Sequence, residues 1–320
     1  MKRREFVAAG AALVLTGLTV RAQQGRMPTV GILLLGTPPP ETLLGPLSGA
    51  LQVLGHVEGR NVKFDIRNAG GRSERLAGLA SELVARKVDL ILAFQTPPAV
   101  AAKQATSDLP IVFSSVGDPL ATGLVGSFAR PGGNATGTTA GTAEVSGKTV
   151  ELIREVLPSA RNFAVLANET DPFTPSYLEV LGRGATKIGL EMRPVMVHPA
   201  SRLDWAFESM VAGQAEAVVI QGSLVSNAAA ELAKKHRLPS FASPQQFPRL
   251  GGLMSYAVNF QAMMQDTAGY IDKILSGAKP ADLPVSFPTQ FQLTVNLQTA
   301  RAIGVQIPRL LLVRADEVIE

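Results

Sequence analysis

The strongest constraint on the fold is a repeated alternation of apolar strand candidates and amphipathic helix candidates. Short runs such as TVGILLL (residues 29–35) and LILAF (residues 90–94) alternate with helical segments such as SERLAGLASELVAR (residues 73–86). Strands that alternate with helices predict parallel sheets with helices packed on both faces. In the first half, strands are predicted at 29–35, 61–66, 88–94 and 110–114, and helices at 41–54, 73–86 and 97–106.

The alternation is interrupted once and then begins again. Residues 129–137, ARPGGNATG, form a turn-rich boundary. The second half carries predicted strands at 163–167, 191–197, 217–221 and 239–242, and predicted helices at 148–157, 175–188, 203–211 and 223–237. We therefore predict an α/β fold with two doubly wound parallel-sheet lobes. Ligands are expected in the cleft between the carboxyl ends of their strands.

The C-terminal segment has too few elements for a third domain. It carries predicted strands at 253–258 and 291–295, separated by a long helix at 260–276. We expect these elements to complete the two lobes, so that the chain crosses between the lobes more than once.

Residues 1–22 are predicted to be an export signal. Lys2, Arg3 and Arg4 precede an apolar run at 7–20, and small residues stand at positions 20 and 22, as a cleavage site requires. The stretch RREFV resembles a twin-arginine motif, which favours that route over general secretion and places the protein in the periplasm. An uncleaved anchor is the alternative, although the run is shorter than the roughly 20 residues that span a bilayer.

Composition argues against several classes of function. The 320 residues include no cysteine and 3 histidines, so thiolate chemistry is excluded and a metal site is not expected. Most of the formal net charge of +4 belongs to residues 1–22, which argues against nucleic-acid binding. Residues 141–149, GTAEVSGKT, resemble a phosphate loop, but the glycine spacing is wrong and Glu144 stands where phosphate would bind. Because no catalytic set is recognisable, we expect neither an enzyme nor a cofactor.

Polar side chains follow the predicted strands of the first lobe. Gln95 and Thr96 come after LILAF, with Thr96 as the expected N-cap of the next helix; an ordinary capped helix is the alternative. Ser114 and Ser115 follow PIVF and offer hydroxyl groups to a small carboxylate. Asp118 could bind an ammonium group or cap a helix predicted at 120–128.

The second lobe offers similar candidates after its first strand. Asn168 is a polar group at the strand end, and Glu169 or Asp171 could bind the amine of a ligand, with solvated loop acids as the alternative. Rings of Phe94, Phe173 and Tyr177 could stack on a ligand, with core packing as the alternative for Phe94. The predicted ligand-binding set is Thr37, Gln95, Thr96, Ser114, Ser115, Asp118, Asn168, Glu169, Phe173, Gln221 and Ser243.

Several longer stretches together resemble a known family. They include LGHVEGRNVKFDIRNAGG (54–71), AAKQATSDLPIVFSSVGDPLATGLVGSFARPGGNATG (101–137), GGLMSYAVNF (251–260) and FQLTVNLQTARAIGVQIPRLLLVRADEVIE (291–320). The chain resembles the substrate-binding proteins of ABC transporters, in the group that includes tryptophan- and tyrosine-type binding proteins. The resemblance implies a type I periplasmic-binding-protein fold, with three hinge crossings near residues 134–140, 253–258 and 283–290.

The resemblance also implies lobe limits and roles for residues. The N-terminal lobe would comprise 28–136 with 258–284, and the C-terminal lobe 137–257 with 285–320. Thr96, Ser114 and Ser115 would bind a carboxylate, and Asn168 would complete the pocket. The chain departs from the family where Gln-Thr-Pro-Pro (95–98) replaces the usual Gly-Thr-Pro-Ala.

The expected function is that of an exported solute-binding protein. It would capture an amino acid or related carboxylate, aromatic ones favoured, and deliver it to an ABC importer. The expected partners are the small-molecule ligand and the transporter permease in the inner membrane, with the protein itself a monomer and no nucleic acid bound. A periplasmic sensor that presents ligand to a membrane receptor is the alternative. An exported enzyme on the same fold is a second alternative, which would need a base paired with a nucleophile.

Overall fold

The computed structural model describes residues 26–36, 40–198 and 203–320. The predicted export signal and the candidate Thr37 lie outside the described residues. Within them, no helix is both long enough and apolar enough to cross a membrane.

The first lobe is built on a sheet of five parallel strands in the order β2-β1-β3-β4-β5. The strands are β1 (Thr29–Leu34), β2 (Lys63–Asn68), β3 (Leu90–Phe94), β4 (Ile111–Val116) and β5 (Ala135–Thr139). Helices α1 (Pro40–Val53), α2 (Leu76–Ala85) and α3 (Thr96–Ala105) connect the first four strands. The doubly wound arrangement predicted from the alternation is confirmed.

The second lobe is built on a sheet of seven strands in the order β12-β11-β10-β9-β8-β6-β7. The strands are β6 (Asn162–Asn168), β7 (Glu191–Val197), β8 (Val218–Ile220), β9 (Ser240–Ala242), β10 (Met254–Val258), β11 (Phe291–Asn296) and β12 (Glu317–Ile319). Its helices are α4 (Thr142–Val156), α5 (Thr174–Lys187), α6 (Leu203–Ala212), α7 (Asn227–Lys235), α9 (Leu297–Ile303) and α10 (Arg309–Arg314). One pair, β10 with β11, is antiparallel, because β11 enters the sheet at the end where β10 leaves it.

The chain passes between the lobes three times. It leaves the first sheet after β5 and enters α4, and it leaves β10 for helix α8 (Phe260–Leu275), which packs on α1 in the first lobe. Residues 284–290 then lead back to β11. Thr138 forms a bridge with Ser286, so the first and third passages run side by side. The predicted lobe limit between residues 136 and 137 falls within β5.

Strand β3 shows how the first sheet is held between two apolar cores. Leu90, Leu92 and Phe94 belong to the core under α1 and α8, whereas Ile91 and Ala93 belong to the core under α2 and α3. Successive side chains of a strand point to opposite faces, so a strand covered on both faces is a continuous apolar run. This packing fixes the carboxyl ends of the strands, where the site lies.

Two local predictions are wrong, and the apolar pattern missed one strand. No helix forms at 120–128, where the chain makes turns, and α4 begins at Thr142 instead of residue 148. The apolar pattern did not predict strand β5, ATGTT, because its residues are mostly polar or small, although the resemblance implied a crossing near residues 134–140. It is nevertheless buried, and the Thr136 hydroxyl donates to the Leu283 carbonyl at 2.7 Å. Gly137 approaches β4 so closely that a Cβ atom would overlap the Phe113 carbonyl.

Candidate functional site

A cavity of about 110 Å³ lies between the lobes at the carboxyl ends of their strands. Residues from β3, β4 and α8 of the first lobe face residues that follow β6, β8 and β9 of the second. The lining residues are Phe94, Gln95, Thr96, Pro97, Ser115, Gly117, Ala140, Asp171, Phe173, Tyr177, Gln221, Gly222, Ser223, Ser243, Pro244, Gln245, Gln246, Ala257, Val258, Phe260 and Met263. We call this cavity the cleft.

The elbow after β3 differs from its prediction in one respect. The N-cap of α3 is Gln95 rather than Thr96, and no side chain caps the helix. Thr96 is buried, and its Oγ1 accepts a hydrogen bond from the Gly117 N–H at 3.1 Å. That bond uses the oxygen and leaves the hydroxyl hydrogen of Thr96 available for a ligand. Gln95 also lines the cleft, with φ 75° and ψ 170°.

The two serines of β4 have different roles. Ser114 is fully buried away from the cleft, where its Oγ lies 2.9 Å from the Thr267 Oγ1 of α8. Ser115 has φ 59°, and it lines the cleft. Of the two predicted hydroxyls, the structure therefore brings only that of Ser115 to the cleft.

Two of the predicted second-lobe residues do not line the cleft. The Asn168 Oδ1 accepts hydrogen bonds from the Thr170 N–H at 3.0 Å and the Thr170 hydroxyl at 2.9 Å, so this side chain shapes the loop. Glu169 is exposed to solvent. The loop instead turns Asp171, the other acid considered from the sequence, into the cleft.

Asp171 is the one carboxyl group among the described residues that line the cleft, and its side chain is held in place. Its Oδ1 accepts a hydrogen bond from the Phe173 N–H at 3.0 Å, and its Oδ2 accepts one from the Gln221 Nε2 at 3.1 Å. Burial raises the pKa of Asp171, and hydrogen bonds from Phe173, Ser223 and Gln221 oppose this shift. A buried carboxylate of this kind favours a cationic partner.

Gln221 orients the acidic side of the cleft. Its Oε1 accepts hydrogen bonds from the Asn168 N–H at 2.9 Å and the Thr174 hydroxyl at 3.0 Å. The amide orientation is therefore fixed, and the Nε2 donates to Asp171. The predicted residue Ser243 also lines the cleft and is exposed.

Aromatic rings form the apolar part of the cleft. Phe173 and Tyr177 of the second lobe lie 5.6 Å apart between ring centroids, and Phe94 and Phe260 of the first lobe form an edge contact at 6.1 Å. Burial raises the pKa of Tyr177. Phe94 belongs to the first-lobe core and also lines the cleft.

Sequence reasoning missed several lining residues, and four of them carry long side chains. Gln245 and Gln246 follow β9, where the strand-end pattern could have indicated them. Phe260 and Met263 lie on α8, and only the passage of that helix back to the first lobe brings them to the cleft.

The lobes are in contact beside the cleft. The Ser176 hydroxyl of α5 donates to the Asp118 Oδ2 at 2.7 Å, and the Thr142 hydroxyl donates to the Gly117 carbonyl at 2.9 Å. The Phe173 ring packs so close to Gly117 that a Cβ atom there would overlap it. Asp118 also accepts the Ala121 N–H at 3.0 Å, so it caps a turn and does not line the cleft.

Two α/β lobes that are joined by three passages and meet over a pocket at their strand ends define a two-lobe ligand-binding protein. Within the described ranges, His, Asp and Glu side chains form no group of three or more that could hold a metal ion. The model of the family described as ABC transporter substrate binding protein matches residues 40–319, and the chain belongs to this family.

The chain is similar in sequence or in fold to several known proteins. A tyrosine-binding protein of Clostridioides difficile (strain R20291) is 28% identical over 261 residues, which are 80% of this chain and 75% of that protein. A conserved domain protein from Vibrio cholerae O1 biovar eltor str. N16961 has TM-score 0.85 and 25% identity, covering 92% of this chain and 100% of that one. The ABC domain from Streptococcus pneumonia in complex with L-Trp has TM-score 0.82 and 24% identity, with the same coverage.

Proposed function

We propose that the protein is an exported solute-binding protein that captures an amino acid, aromatic ones favoured, and delivers it to an ABC importer. The observation that carries the proposal is Asp171, a buried carboxyl group in a cleft that no Lys, Arg or His of the described residues lines. The tyrosine and L-Trp in the descriptions of two similar proteins support an aromatic amino acid.

In the proposed binding mode, each end of the ligand binds a different lobe. The ligand ammonium pairs with Asp171, which offsets the cost of burying that carboxylate. The ligand carboxylate accepts hydrogen bonds from the hydroxyls of Thr96 and Ser115, near the start of α3. The aromatic ring packs on Phe173 and Tyr177. Because the ligand touches both lobes, its binding favours their closed arrangement.

The binding mode is tested by calorimetric titration with L-Trp, L-Tyr and L-Phe. Tryptamine lacks the carboxylate and indole-3-propionate lacks the ammonium group, so both should bind more weakly than L-Trp. Asp171→Asn should weaken L-Trp binding at least about tenfold, or roughly 1.4 kcal/mol. Glu169→Gln removes an exposed carboxylate from the same loop and should leave the affinity unchanged. Equal affinities for indole-3-propionate and L-Trp would contradict the role of Asp171.

Delivery to an importer is tested by uptake of radiolabelled ligand in cells. A strain without the protein should lose high-affinity uptake, and the wild-type gene should restore it. Unchanged uptake together with a lost chemotactic or signalling response would favour the sensor alternative.

A further inference from the structure

A second pocket, of about 290 Å³, lies between the lobes beside the cleft. Among the described residues it shares only Gly117 with the cleft, and the Phe173 ring that packs on Gly117 lines the cleft but not this second pocket. Its walls come from both lobes and from the third passage. The residues that matter here are Asp118, Phe128, Thr139, Glu144, Phe287 and Phe291. We call it the side pocket.

A buried hydroxyl group in the side pocket has no partner within the described part of the chain. Thr139 is 3% exposed, and its Oγ1 makes no hydrogen bond there. Buried polar groups in proteins are nearly always hydrogen-bonded, and an unpaired one needs an explanation such as an unseen ligand. Thr139 lines the side pocket and a smaller polar pocket formed partly by α8.

The side pocket is acidic. Asp118 and Glu144 both line it, and no Lys, Arg or His of the described residues does. Burial, and after it the charge of Glu144, raises the pKa of Tyr256, whose ring stacks on Phe291 at 5.6 Å. The start of α4 also faces this pocket, but Glu144 lies in its first turn and balances the positive end of the helix.

The remaining wall is aromatic and partly uncovered. Phe128 and Phe287 meet edge to face at 4.8 Å between ring centroids, and Phe287 is 52% exposed. Phenylalanine faces attract cations as well as hydrocarbon, so rings next to carboxylates suit an ammonium ion that carries an apolar body.

We propose that the side pocket binds a small organic ammonium ion with an aromatic or alkyl body. The ammonium group lies between Asp118 and Glu144, next to Thr139, while the body covers Phe287 and its neighbours. Because both lobes supply walls, occupancy favours the closed arrangement whatever ligand the cleft takes. The proposal is independent of the ligand proposed for the cleft.

The test uses 2-phenylethylamine as the probe and the Asp171→Asn variant as the background, so that the cleft carboxylate does not contribute. Calorimetric titration should detect binding of the probe. Adding Asp118→Asn or Phe287→Ala should weaken binding at least fivefold. Adding Leu310→Ala, which removes an exposed apolar side chain from α10, should leave it unchanged.

Two results would overturn the proposal. The first is equal binding of 2-phenylethylamine by all three added variants, or no binding at all. The second is binding of 3-phenylpropionate in place of the amine, which would assign the pocket to anions at the start of α4. Circular dichroism of each variant checks that the protein is folded.

Discussion

Gln95 holds the first elbow of the cleft in a backbone conformation that its own residue type disfavours. Its φ of 75° with ψ of 170° falls in a region that is almost restricted to glycine. Such a residue costs about 1–3 kcal/mol and persists only where its surroundings impose it. Here β3 and α3 meet at Gln95, and the same turn places Thr96 at the cleft.

Replacing Gln95 by glycine should therefore stabilise the protein. Relief of strain should exceed the entropy that glycine adds to the unfolded chain, which is about 0.5–1 kcal/mol. We expect the free energy of unfolding of Gln95→Gly to rise by about 1 kcal/mol in urea titrations. Gln95→Ala removes the side chain but retains a Cβ atom, so it should bring no gain. Equal gains for both substitutions would show that the backbone is not the cause.

Asp171 makes the stability of the ligand-free protein depend on pH. Its native pKa lies above the ordinary value of 3.8, so the folded state binds this proton more tightly than the unfolded chain does. The stability that Asp171 contributes is therefore lost as the pH rises from its pKa in the unfolded chain through its pKa in the native state. Relative to Asp171→Asn, the wild type should therefore lose melting temperature as the pH rises from 3.8 toward 7. A difference between the two proteins that does not change with pH would contradict the shift, and Glu169→Gln is the control.

The sequence predicted which loops form the cleft more accurately than which residues of those loops line it. Glu169 and Asp171 stand in one loop, and only the turn made by Asn168 and Thr170 decides which acid is buried. The serines of β4 differ because Ser114 remains in the strand alternation whereas Ser115 has a positive φ. Both outcomes depend on local backbone geometry, which residue types do not specify.

At the scale of elements, the apolar pattern was enough to predict strands that are buried on both faces of a sheet, such as β3. It failed for β5, where the hydroxyl of buried Thr136 bonds to the carbonyl of Leu283, a residue that comes after α8 in the chain. It also failed for the segment after Asp118, where a cap residue is followed by turns and no helix. Sequence patterns thus predicted elements that hydrophobic burial stabilises, and missed those that depend on distant polar partners.

The contact between the loop after β4 and the start of α5 should control closure. Gly117 does not have a positive φ, so alanine is compatible with its backbone, but the new Cβ would overlap the Phe173 ring. Gly117→Ala should weaken binding of the cleft ligand at least about tenfold, roughly 1.4 kcal/mol, by holding the lobes apart. Small-angle scattering should show a larger radius of gyration.

A second substitution, at Phe173, provides the control for this closure prediction. In a Phe173→Leu background the side chain is smaller, so Gly117→Ala should cost much less affinity than it does in the wild type. The coupling between the two positions is read from the double-mutant cycle. An equal loss in both backgrounds would contradict a steric effect between Gly117 and Phe173.

At the scale of the whole molecule, the order of the elements along the chain does not follow the division into lobes. Helix α8 follows the strands β6 to β10 of the second lobe, yet it supplies Met264, Ile271 and neighbouring residues to the core of the first lobe. That core also contains Val30 and Ile32 of β1. The two lobes are therefore interdependent parts of one chain rather than two domains that follow one another in the sequence.

This connectivity has a consequence during synthesis. The ribosome releases the first lobe's strands early, but one face of their sheet is covered only by α1 until α8 has emerged. Until then the exposed face of β1 and β3 is apolar surface that a chaperone can bind. A nascent chain that ends before residue 260 would lack the segment that closes this core, so the first lobe can complete its core only late in translation.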